Sequence, residues 1–330
     1  MKTQNLIIGI LTASISTALA SPPPPPPAPS LATLFRAAAV TSLHPDAPGA
    51  RTDNPADRLN SGAALNAVDQ LTAVPTSAGV RSAPLPPKQG PLFSLSGEYN
   101  YLNTNDSRFL GSDSQTHSMS IGGTGLFNGD FLVGLNYSYS RTDSAMNILG
   151  SYNNADQNFI SLIVAKSFMQ FLSIGFAGGY GHTDYTIVGP GGRLPANMDT
   201  WTVSPFIAAS YQTGRLNTSL TAMYHYENDR TTAPGIAAIT DDSNKISLTL
   251  RASYAATERL KIQGSVKFTE ILSGSGQSVG LPVARAWATF GTKVSYSFSK
   301  ALEVYAGYSY DAFNQFLDTH TVNGGLRYSF

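Results

Sequence analysis

The sequence predicts an all-β protein, a twelve-stranded antiparallel transmembrane β-barrel behind a Pro-rich, mostly disordered N-terminal arm. Three observations lead there. Only 13% of the 330 residues are charged, against about 25% in an average soluble domain, yet nothing after the first twenty residues is long and apolar enough to span a bilayer as a helix. From Leu92 to Phe330 apolar and polar residues alternate with a period of two. The connections between these alternating runs sort strictly into tight turns and longer loops, the signature of strands that cross an outer membrane.

Residues 1–20, MKTQNLIIGILTASISTALA, combine a basic Lys2, an apolar run from Leu6 to Leu11 and a small-x-small end at Ala18-Leu19-Ala20. They are expected to be a secretory signal cleaved before Ser21. From 21 to 91 the composition changes: fifteen of the twenty prolines lie here, six of them in a row from Pro22 to Pro27. Such runs favour extended polyproline II structure and pack no core, so they serve as spacers or docking strips. Two short helices are predicted within this arm. One places Leu31, Leu34, Phe35 and Ala38 on one face behind Ser30 as N-cap. The other runs from about Asp57 to Val74, and its length of about 27 Å suits either a helix threaded through a pore or a marginal periplasmic helix.

The barrel domain, 92–330, divides into runs at about 92–102, 115–127, 130–142, 155–168, 171–185, 199–212, 215–228, 243–256, 259–271, 284–298, 301–312 and 318–330. The alternation is clearest where Ile246, Leu248, Leu250, Ala252 and Tyr254 oppose Ser247, Thr249, Arg251 and Ser253. Asn128-Gly129, Met169-Gln170, Thr213-Gly214, Thr257-Glu258 and Ser299-Lys300 are tight turns, expected in the periplasm. Longer connections near 103–114, 143–154, 186–198, 229–242, 272–283 and 313–317 are expected outside. The apolar face must point to lipid, because the other face carries Arg251, Lys261, Lys267, Lys293, Glu303 and Arg327, too many charges for a dry core.

Aromatic residues gather near strand ends, as interfacial girdles require. Tyr99, Tyr101, Tyr137, Tyr139, Tyr180, Trp201, Tyr224, Tyr226, Tyr308 and Tyr310 fall at the outer level; Phe93, Phe131, Tyr211, Tyr254, Tyr296, Phe298, Tyr328 and Phe330 fall at the inner one. Pro205, inside the sixth strand of a barrel with no free edge, predicts a bulge or a lost hydrogen bond.

The last strand presents Val322, Gly324, Leu326, Tyr328 and a terminal Phe330 at alternating positions. It resembles the C-terminal signal of bacterial outer-membrane proteins, which implies recognition by the barrel-assembly machinery. Together with the preceding LEVYAGYSY at 302–310, it resembles the end of the autotransporter β-domain family. That resemblance implies a translocator with a helix in its lumen that carries its own N-terminal passenger across. Here the segment ahead of the barrel is only about 70 residues long and has no repeats, so any passenger is very short.

Other classes are narrowed by composition. With 21 Lys+Arg and 21 Asp+Glu the net charge is zero, which gives no basis for a nucleic-acid partner. The absence of Cys removes disulfides, thiolate metal sites and thiol nucleophiles. No metal or cofactor spacing is present, and the loop acids Asp241-Asp242 are at most a loose Ca²⁺ site. His117-Ser118 and His182 with Asp184 are the only fragments of a hydrolytic set, without a nucleophile elbow, so a non-enzyme is expected over a lipid hydrolase. The inward basic residues Arg251, Lys261, Lys267, Lys293 and Arg327, facing the fewer acids Glu98, Glu303 and Asp311, suit anionic solutes or an acidic plug; lumen ion pairs are the plainer reading. The expected partners are outer-membrane lipid, the assembly machinery and a periplasmic partner of the arm. A porin with modest anion preference is the alternative to a translocator.

Overall fold

The computed structural model describes residues 92–330 except 107–111, 129, 147–150, 170, 190–191, 275–285 and 315–316; the expected signal, Pro-rich arm and its two helices lie outside the described residues. Twelve strands follow one another: β1 Leu92–Asp106, β2 Ser112–Phe127, β3 Phe131–Met146, β4 Ser151–Met169, β5 Leu172–Gly189, β6 Gly192–Thr213, β7 Leu216–Ala233, β8 Ile236–Ala255, β9 Leu260–Gly274, β10 Ala286–Ser297, β11 Leu302–Ala312 and β12 Leu317–Ser329. Each pairs antiparallel with its sequence neighbours, and β1 pairs with β12, so the sheet closes on itself and no edge is left open. The closing rung is backbone: the Phe93 N–H donates to the Phe330 carbonyl at 3.1 Å and the Phe330 N–H to the Phe93 carbonyl at 2.9 Å.

The turn residues have the chemistry their positions demand. Asn128 and Gly214 sit at φ of +52° and +55°, left-handed conformations that Asn and Gly adopt at little cost. Thr257 and Ser299 cap their turns by accepting from the N–H of Leu260 and Leu302 at 2.9 and 3.0 Å.

The alternation points where it was expected to. Leu135, Ile160, Leu162, Leu250 and Val294 lie exposed on the outer face, while the opposite face is rich in buried Ser and Thr. The loops differ from expectation. Stretches 186–198 and 229–242 are mostly strand, forming the β5–β6 and β7–β8 hairpins up to positive-φ glycines at Gly192 and Gly235. About ten residues suffice for a tilted strand to cross the hydrocarbon, and the eleven from Trp201 to Tyr211 do so in β6. Gly192–Thr200 therefore extends past the aromatic level, where no face has to be apolar for lipid; its Ala196 packs instead against Ile187 in a small buried cluster with Tyr185, Leu194 and Ala233. There the hydrogen-bond ladder continues while hydrophobic alternation lapses, which is why the sequence pattern ends early.

Pro205 gives the lost hydrogen bond and no bulge. Pairing of β6 with β7 stops after Val203↔Tyr226 and resumes at Phe206↔Met223 in the same register. An unexpected feature lies on the inward side. Leu126, Leu132, Ile163, Ala165, Ala177, Phe206, Ala208 and Met223, from β2 to β7, form a buried apolar cluster inside the barrel. Beside it the Phe159 ring lies over Gly179 and Gly181, and the Phe206 ring over Gly175; a Cβ on Gly179 would stand 2.4 Å from the Phe159 ring.

Candidate functional site in the lumen

A barrel acts through its inner wall and its two ends, so the inward positions set what it can do. Arg251, Lys261, Lys267, Lys293 and Arg327 all fall on inward-facing positions of β8, β9, β10 and β12. Lys293 holds its Nζ 4.9 Å from the centre of the Tyr305 ring, a cation–π contact. The Tyr305 hydroxyl donates to Glu98 Oε2, passing over Gly325 and so linking β11 to β1 across β12. Arg327 and Glu303 are register partners next to this link. Near the tight turns the wall from β8 to β1 thus carries a basic excess threaded with the acids Glu98 and Glu303.

Towards the other end the charge reverses. Glu227 and Asp229 on β7 and Asp241 on β8 are inward and buried, with His225 and Lys245 as the bases nearest to them in register. Asp229 and Asp241 face each other directly across the β7–β8 ladder. The Thr200 hydroxyl donates to Asp229 Oδ1 at 2.5 Å. Lying beyond the outer aromatic level, Asp229 has its carboxyl pKa pushed well above the ordinary carboxylate range, by burial first and by the Glu227 charge second. The expectation of a loop site at Asp241-Asp242 is corrected: both belong to β8, Asp241 points inward and Asp242 outward, where it accepts from Tyr226 and Asn228. Among the described residues no three His, Asp or Glu side chains are placed to hold a metal ion.

The hydrolytic fragments separate. His117 and Ser118 are strand neighbours facing opposite sides, His117 outward with its Nδ1 2.6 Å from the Tyr99 hydroxyl. His182 also faces outward, 2.8 Å from Asp199 and 3.5 Å from Asp184, beside the Tyr180 and Trp201 rings, which pack at a tilt of 48°. The outer-level aromatics Tyr137, Tyr139, Trp201, Tyr224, Tyr226, Tyr308 and Tyr310 stand on the outward face. Most hydroxyls in this set reach a polar partner one strand over, such as Tyr137 to Asn158 at 2.7 Å and Tyr139 to Asp156 at 2.6 Å. An apolar ring with an anchored polar tip is what a lipid–water boundary favours. Val322, Leu326, Tyr328 and Phe330 are exposed on the outward face of the C-terminal strand, in line with Gly324.

Sequence reasoning missed the acidic group and the inward apolar cluster. The former was hidden because 229–242 resembled a loop. The latter had a signal: Leu162-Ile-Val-Ala165, close behind Phe159 and Ile160, is a continuous apolar run, the mark of a strand with apolar neighbours on both faces.

Comparison with known proteins gives the fold several parallels. A family model described as "Putative MetA-pathway of phenol degradation" matches residues 185–315. No curated protein matches the chain. The translocator domain of the autotransporter NalP from Neisseria meningitidis is similar at a TM-score of 0.60 and 10% identity, over 83% of this chain and 98% of that one. The β-domain of the Bordetella autotransporter BrkA follows at 0.55 and 14%, over 72% and 98%. The toluene transporter TodX of Pseudomonas putida is similar at 0.41 and 11%, over 75% and 90%. The chain has the fold of an autotransporter translocator domain, a closed twelve-stranded β-barrel of the outer-membrane type.

Proposed function

We propose that this chain is a non-enzymatic outer-membrane barrel that acts as a translocator or structural membrane protein for its own short N-terminal segment. The observation that carries the reading is the closed twelve-strand barrel, which matches 98% of the NalP translocator domain. A cleaved signal at 1–20, assembly through the C-terminal strand and lipid contact through the two aromatic levels complete it. Surface proteolysis of intact cells tests the reading. Cleavage or release of residues 21–91 supports export, and full protection of that segment places it in the periplasm and rejects translocation.

A second reading is favoured by the basic excess near the tight turns: a small porin that admits anionic solutes along the wall from β8 to β1. Planar-bilayer recordings decide it. Exchange of Lys261, Lys267 and Lys293 for Gln should shift selectivity towards cations, and a barrel without conductance, with or without residues 21–91, removes this reading.

A further inference from the structure

One seam of the barrel wall differs from the other eleven. Between β6 and β7 the ladder keeps its register but lacks rungs where Ser204 and Pro205 lie opposite His225 and Tyr224. The other irregularities, in β4–β5, β7–β8 and β8–β9, are register shifts at which the ladder steps past an extra residue. Pro205 has no N–H, so the donor that would meet β7 opposite Tyr224 does not exist. In hydrocarbon no water replaces it.

Side chains bridge this gap from inside. Ser204 Oγ lies 2.7 Å from His225 Nδ1, with Ser204 fully buried and His225 nearly so. The far ring nitrogen of His225 is 3.5 Å from Glu227 Oε2, and Lys245 is its register partner on β8. The next pair towards the tight turns is Phe206 and Met223, both members of the inward apolar cluster. Strand separation at this point would bring the apolar Phe206 and Met223 to lipid, a transfer with little free-energy cost. Inward apolar pairs also meet at Leu132↔Ala165 and Ile163↔Ala177, so the missing rung is what sets the β6–β7 seam apart.

We propose that the β6–β7 seam at Ser204 and Pro205 is the point at which the barrel wall opens, and that the Ser204–His225 hydrogen bond is the latch that keeps it shut. Local openings of this kind occur where few backbone bonds must break. Here the proline has already removed one, and the serine–histidine bond stands in its place.

Amide hydrogen exchange on the full chain folded into lipid vesicles tests this, followed by mass spectrometry of peptides covering 203–207 and 222–226. These peptides should exchange faster than those at equal depth in β3 and β4. His225→Ala should accelerate them at least about tenfold while the rest of the barrel is unchanged, and Ser204→Ala should do the same should the histidine variant fail to fold. Pro205→Val restores the missing donor and should return exchange to the level of neighbouring seams, even in the His225→Ala background. Equal exchange in β3–β4 and β6–β7, or acceleration spread evenly round the barrel on loss of the latch, overturns the proposal.

Discussion

Gly325 on β12 is the position where a single methyl group should do most damage at the closing seam. A Cβ placed there would lie 2.5 Å from the Gly97 carbonyl and 2.5 Å from the Tyr305 hydroxyl, with the ring carbon at 2.6 Å. The tyrosine passes over this glycine to reach Glu98, so Gly325→Ala must push it aside and break its bond to the carboxylate. A hydrogen bond to a charged group contributes about 1.5–3 kcal/mol, and forcing an extra methyl into a packed site costs about 1–3 kcal/mol. The expected loss is therefore about 2.5–6 kcal/mol. Tyr305→Phe, which removes the hydroxyl and leaves the ring, should lose only the first part. The assay is a urea titration in detergent micelles, following the shift in gel migration between heated and unheated protein. The decisive comparison is Gly325→Ala in a Tyr305→Ala background, where only the Gly97 carbonyl still opposes the methyl group and the cost should fall to about 1–3 kcal/mol. An equal cost in both backgrounds would falsify the idea that the tyrosine is what the glycine makes room for.

Three further outcomes are expected. Phe159→Ala should destabilise the barrel by about 3–5 kcal/mol in the same titration, because its fully buried ring fills the hollow left by Gly179 and Gly181. Asp229 binds its proton more tightly in the folded state than in the unfolded chain. Its contribution is thus fully present below the ordinary carboxylate pKa and is lost as pH rises towards the raised folded value. Asp229→Asn should flatten that decline and stabilise the barrel at neutral pH, and an unchanged pH profile of unfolding speaks against a protonated Asp229. Deleting Phe330 removes both backbone bonds to Phe93, so folding into vesicles, timed by the appearance of the fast-migrating form, should slow by severalfold.

The fold was legible because lipid imposes one rule on every strand: apolar outside, polar inside, over about ten residues. That rule located all twelve strands, and Lys261, Lys267 and Lys293 alternate along it with Ile262, Phe268 and Val294. Legibility ended where the lipid ends. Above Trp201 and Tyr226 no apolar face is required, so the hairpins that carry Asp229 and Asp241 resembled loops. Contacts that close the wall were equally hidden, because the meeting of Tyr305 with Glu98 over β12 joins positions 207 residues apart. Pro205 was read correctly as a fault in the ladder, but its companion His225 resembled any other inward polar residue until the register set it opposite Ser204.

The unequal strand lengths give the molecule a slanted rim. β6 runs 22 residues and β8 runs 20, while β10 and β11 run 12 and 11, a difference of about 33 Å of strand contour at about 3.3 Å per residue. Among the described residues the barrel is therefore cut like a quill nib, with a tall back formed by β5 to β8 and a low lip at β10 to β12. The buried inward acids Glu227, Asp229 and Asp241 belong to this tall side, while Lys267 and Lys293 stand on the shorter strands β9 and β10, so the two signs of charge are set at different heights on different parts of the wall.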